Sequence, residues 1–190
     1  LGLVGSEMCI RDRLQRAKKA GVLQAIDNPT LKRRIPKSLR DRDNYWFGLS
    51  QRARTIIYNK NLVNAEDLST YENLASPVWK GQLCIRSSDS IYNQSLVASM
   101  IEVNGIKKTE SWARNLVSNF ARPPTGGDTD LLKATAAGQC SIALANTYYL
   151  GRLINSKNNE EKIAAQNLAV FWPNQGDGAV SYTHLRAHET

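Results

Sequence analysis

The 190-residue chain has only two histidines, His184 and His188, and both lie close to its C-terminus. Over all the rest, Ser-His-Asp and Cys-His catalysis is excluded for want of the base. Neither a G-x-G-x-x-G run nor a P-loop occurs, so both nucleotide fingerprints are missing. No apolar run approaches the ~20 residues that a membrane-spanning helix needs. With 12 Gly and 6 Pro dispersed along it, the chain is not a low-complexity polymer. Its three cysteines, Cys9, Cys84 and Cys140, are too few for a disulfide scaffold and lack the paired spacing of a zinc site.

The two ends differ in character from the rest. LGLVGSEMCIRDR at the start lacks the basic start and apolar stretch of a signal peptide. VSYTHLRAHET at the other end continues no periodic pattern. Both resemble translated adapter read-through, so 1–13 and 180–190 are set aside from fold reasoning. His184 and His188, whose i, i+4 spacing would place two imidazoles on one helix face, are set aside with them, as is Cys9.

Between these ends, short apolar runs alternate with helical patterns. Leu14–Ala20 reads as a helix end stopped by Gly21, and a polar, basic stretch follows to Asn44. Aromatic and β-branched residues over Tyr45–Lys60 predict one or two strands, and Asp67–Ala75 a short helical piece. A strand is expected over Gln82–Arg86, then a helix whose apolar face is Ile91, Leu96, Val97, Met100 and Ile101, closed by Gly105. Further helices are expected over Thr109–Ser118 and, capped by Asp128, on to a stop at Gly138, with a short strand near Phe120 between them. CSIALA (140–145) reads as a buried strand leading into a helix capped by Asn146 and Thr147, and Leu168–Trp172 as a last strand. This alternation implies an α/β domain of parallel β-α-β units with helices on both faces.

In open α/β sheets ligands bind beyond the carboxyl ends of the strands, where helix N-termini also point. Two strand-to-helix junctions put phenols there: Tyr92, in RSSDSIYNQ, and Tyr148 with Tyr149, in LANTYY. A phenol ordinarily titrates near 10. A helix N-terminus favours its anion, and a bound cation favours it far more. Phenolate is a hard anionic oxygen, which by ligand matching suits ferric iron, whereas zinc or copper would recruit His or Cys. From spacing alone, the competing reading is a set of amphipathic rings capping the sheet edge and hydrogen-bonded to backbone. Tyr45, Tyr58 and Tyr71 fall in strand or helix patterns and are expected to pack.

The segments RARTIIYNK, VWKGQLCIRSSDSIYNQSLVASMI, NFARPPTGGDTDLLKATAAGQC and IALANTYYLGRL also carry a resemblance that spans most of 14–179. They resemble periplasmic ferric-iron-binding proteins, the solute-binding components of ABC-type iron(III) importers. The resemblance implies a two-lobed periplasmic-binding-protein fold (type 2), non-enzymatic, with Fe(III) as cargo. Tyr92, Tyr148 and Tyr149 would be iron ligands, and Arg52 would lie near the metal and balance phenolate charge. It implies a periplasmic location, delivery to a membrane permease and a monomeric state. A first-lobe segment that gives further ligands in the family has no match here. The chain is therefore expected to hold a first-lobe remnant (14–49) and most of the second lobe (50–179), and to bind iron more weakly than full-length relatives.

The net charge of +8 raises a nucleic-acid reading, but outside positions 32–42 the basic residues are scattered and no nucleic-acid module is recognisable, so no nucleic-acid partner is expected. Cys84 and Cys140 are each expected at a strand start. On neighbouring strands they would be close enough for a disulfide, and otherwise they are two buried thiols. The remaining alternative function is an effector or solute domain of the same fold that takes a small anion or metabolite.

Overall fold

A computed structural model describes residues 14–49 and 52–174. Residues 1–13 and 180–190, with Cys9 and the His184/His188 pair, lie outside the described residues. Within 14–49, residues 14–19 are helical and Gly21 adopts the left-handed φ of +70° that ends them. Helix α1 is Pro29–Arg34, with Asn28 accepting from the Thr30 and Leu31 amides at 2.9 and 3.1 Å. Only Ile35 and Asp41 are buried in this stretch.

Residues 52–174 are built on a four-stranded sheet. Its strands are β1 (Arg54–Asn59), β2 (Leu83–Cys84), β3 (Ile142–Asn146) and β4 (Leu168–Phe171), in the order β2-β3-β1-β4. The helices are α2 (Ile91–Asn104), α3 (Ile106–Ser118), α4 (Asp128–Ala136), α5 (Thr147–Ile154) and α6 (Asn159–Gln166). Every residue of β1 and β3 is buried, as expected for central strands covered on both faces. Alternation along them divides the core. Ile56, Tyr58, Ile142 and Leu144 pack with Leu96, Met100, Trp112 and Leu116 of α2 and α3. Ile57, Ala143 and Ala145 pack with Leu131, Leu132, Leu150, Leu153 and Ala165 of α4, α5 and α6. Helices cover both faces, as the sequence predicts, and the class is α/β.

The all-parallel arrangement is not what forms. β1 runs antiparallel to both β3 and β4, and only β2 and β3 are paired parallel strands. A right-handed crossover needs a helix long enough to return the chain along the sheet. After β1 there is none: the expected helix over Asp67–Ala75 is replaced by the separate 3₁₀ turns Ala65–Asp67, Glu72–Ala75 and Pro77–Trp79. Tyr71, beside these turns, is buried, with its hydroxyl donating to the Arg54 carbonyl. The expected strand or strands over Tyr45–Lys60 shrink to β1 and one antiparallel bridge, Arg40 with Phe47. The strand near Phe120 is a single parallel bridge to Leu83. Helix α6 was not expected, because few apolar residues mark its sequence, NEEKIAAQ.

Gly105 takes φ +79° and lets α3 begin immediately after α2, its amide closing on the Ile101 carbonyl at 2.8 Å. Cys84 and Cys140 form a disulfide with Cα atoms 5.9 Å apart, joining β2 to the chain entering β3. Asp128, expected to cap α4, stands inside the helix instead: Gly127 is the N-cap, and Asp130 accepts from the Gly127 amide at 2.8 Å. The Asp128 side chain is fully buried.

Candidate metal centre

Both tyrosine-bearing helices start at the same edge of the sheet. The extended Ser90 precedes α2, in which Tyr92 is the second residue. β3 ends at Asn146, which serves as the N-cap of α5, so Tyr148 and Tyr149 fall in its first turn. The Thr147 amide donates to the Ala53 carbonyl at 2.9 Å and fixes this start against the chain entering β1.

The three phenols converge. The Tyr92 and Tyr148 hydroxyl oxygens are 3.1 Å apart. The Tyr148 and Tyr149 rings stack at 4.3 Å between centroids, tilted by 32°, and the Tyr149 phenol interacts with both of the others. Tyr148 is 36% exposed and its two neighbours are half-buried, so the group forms an open rim. Around it stand three guanidiniums: Arg52 lies 5.0 Å from the Tyr148 ring centre, and Arg86 and Arg54 lie 5.5 and 5.8 Å from that of Tyr92.

All three phenols are held above their usual value of 10. For Tyr92 the hydrogen bond with Tyr148 is the main cause and burial adds to it. For Tyr148 and Tyr149 burial comes first. Without a cation the rim therefore keeps its protons at neutral pH, and any ion bound through it must displace them. Among the described residues no three of His, Cys, Asp and Glu gather where a metal could sit, whereas the three phenols do gather.

Beneath the rim lies a polar network that sequence reasoning missed. Arg54 has no exposed side-chain surface and meets the equally buried Asp128 at 3.0 Å, while Arg86 approaches the other Asp128 oxygen at 3.7 Å. Burial pulls the Arg54 guanidinium down, and Asp128 acts against this. A lone charge opening the otherwise uncharged strand RTIIYN was the available signal. Tyr92, Tyr148, Tyr149 and Arg52 lie together at one locality in the structure.

The model of the bacterial extracellular solute-binding protein family matches residues 6–187. Iron uptake protein A1 of Synechocystis is 49% identical over 163 residues, covering 86% of this chain and 45% of that protein. Iron uptake protein A2 of the same organism is 44% identical over 165 residues, covering 87% and 48%. Among solved structures, Trichodesmium IdiA (FutA) in complex with iron and citrate superposes with a TM-score of 0.80 at 53% identity, covering 86% of this chain and 52% of that one. The chain spans about half the length of the relatives it matches. With the family model covering nearly the whole sequence, the chain belongs to the bacterial extracellular solute-binding proteins.

Proposed function

We propose that this chain holds ferric iron outside the cytoplasm through the phenolates of Tyr92, Tyr148 and Tyr149, as part of a protein that delivers it to an ABC transporter permease. The observation that carries the reading is the convergence of the three hydroxyls on one rim, with Tyr92 and Tyr148 at 3.1 Å. Three phenolates match a trivalent hard ion in charge and in donor type. The surrounding guanidiniums, Arg52 above Tyr148 in particular, offset phenolate charge. The names of the relatives, iron uptake protein and, at 28% identity, Fe(3+)-binding periplasmic protein, point the same way. A buried disulfide suits an oxidising compartment such as the periplasm. In this reading 52–174 is most of the second lobe of a two-lobed, monomeric carrier, 14–49 belongs to the first, and further ligands come from outside the rim.

The three guanidiniums also favour a second reading, a small anionic solute bound at the same edge. Titration separates the two. With ferric citrate, iron binding produces a visible phenolate-to-iron charge-transfer band that weakens in Tyr92→Phe and Tyr148→Phe. A colourless protein that binds citrate alone as tightly as ferric citrate supports the anion and sinks the iron reading.

A further inference from the structure

Arg54 sits where the two tyrosine-bearing helices begin, and its guanidinium touches the chain leading into each. Nη2 donates to Asn93 Oδ1 and to the Leu144 carbonyl, both at 2.7 Å, and Nη1 donates to Asp128 Oδ2 at 3.0 Å. Asn93 follows Tyr92 directly, and its amide donates to the Arg86 and Ser87 carbonyls at 2.7 and 3.1 Å, in the loop that enters α2. On the other side, Asp128 Oδ2 accepts from the Asn146 amide at 2.9 Å, the N-cap of α5. Nη1 also reaches Asn146 Oδ1 at 3.4 Å, so one planar fork links the first turn of α2 to the end of β3 and the N-cap from which α5 starts, a task for which a single-point lysine ammonium is unsuited.

Stability alone is a poor reason for this arrangement. Removing two charges from water costs more than apolar residues of the same volume would, and such swaps are often neutral or stabilising. What the pair supplies is a fixed distance. We infer that Arg54 and Asp128 are positioning residues: they set the separation of the α2 and α5 starts at which the Tyr92 hydroxyl meets that of Tyr148, so the rim is assembled before an ion arrives. This inference rests on the iron reading of the rim for its purpose, though not for its geometry. Groups that orient metal ligands from behind typically change affinity when removed, by about 10–100-fold.

The test uses the 190-residue chain with four sets of substitutions: Arg54→Lys, Asp128→Asn, the pair Arg54→Met with Asp128→Leu, and Cys84→Ser with Cys140→Ser as a destabilised control that leaves the Arg54–Asp128 contacts in place. The paired apolar substitution leaves no fully buried charge unmatched and so disturbs the fold less than either single variant. Iron is supplied as ferric citrate. The Arg54 and Asp128 variants are expected to bind about 10–100-fold more weakly and to shift the charge-transfer maximum. The disulfide control loses resistance to denaturant but keeps the maximum and the affinity. Folded variants that match the wild type in band and affinity overturn the inference.

A second readout needs no iron. In protein carrying ¹³Cζ-labelled tyrosine, Tyr148→Phe is expected to move the Tyr92 resonance, because the two hydroxyls share a hydrogen bond. That response should vanish in the Arg54→Met, Asp128→Leu background. If it persists there, the positioning role falls, whatever the iron does. If it vanishes but the wild type takes up no ferric ion, the iron reading fails and the positioning role stands.

Discussion

Residues 14–49 and 52–174 are held together by different physics. The larger region folds around a sheet whose two central strands are buried along their whole length, with separate apolar clusters on its two faces. The smaller buries two side chains and relies on polar contacts. Lys18 reaches Asp41 and Asp43 at 2.8 and 2.7 Å and lies over the Tyr45 ring at 4.8 Å, while Arg40 donates to the Lys32 carbonyl at 2.6 Å. Apolar burial at about 25 cal/mol per Å² accumulates with area, whereas exposed ion pairs contribute little each. The candidate site draws all its phenols from the region whose core can hold helix starts in place.

Four measurements would break or sharpen this contrast. The largest effect is expected at the rim. Each phenol is held above 10, so on the ferric reading each would enter the complex by losing a proton. Below that pH, affinity should fall as pH is lowered, by up to about tenfold per pH unit for each of the three. Competition with citrate between pH 6 and 8 reads the slope, and a pH-independent affinity would remove the phenolates from the account. If the rim depends on the sheet region alone, a chain beginning at residue 50 should show the same slope.

Next in size is the disulfide. Closing a loop with a sequence separation of 56 should stabilise the sheet region by about 4 kcal/mol in the chain-entropy account. Cys84→Ser with Cys140→Ser should lower its urea midpoint accordingly, and an unchanged midpoint would show that the cross-link restrains nothing. Leu132→Ala removes a side chain with no exposed surface and should cost about 3 kcal/mol. Ile35→Ala, at the margin of burial in the smaller region, should leave the same transition where it was.

The smallest change that should still be measurable belongs to Lys18. Burial raises the Asp41 carboxyl, but the Lys18 ammonium and the Tyr45 and Asp43 amides outweigh it and hold the group below its usual 3.8. The stabilisation is therefore present at pH values above 3.8 and is lost as pH falls through the lower, folded-state value. Lys18→Met should speed amide exchange within 14–49 at neutral pH while the sheet region stays protected. Equal loss of protection in both regions would show that the two unfold as one.

Much of this was legible in the sequence because local signals and tertiary context agreed. CSIALA gave β3, Gly105 gave the end of α2, and the first-turn positions of Tyr92, Tyr148 and Tyr149 followed from strand-to-helix junctions. The direction of β1 was not legible, since a strand's residues do not state which neighbour it pairs with. Arg54 was overlooked for a related reason. A charge in an apolar strand is explained only by partners 39 and 74 residues away, Asn93 and Asp128. The alternative of free thiols at Cys84 and Cys140 turned on the same long-range information, supplied here by the pairing of β2 with β3.

The rim is open rather than enclosed, with a third of Tyr148 in contact with solvent. On the ferric reading proposed above, an ion arriving with its chelator would meet the ring oxygens from one side, so the chelator's bonds would be replaced one at a time rather than all at once.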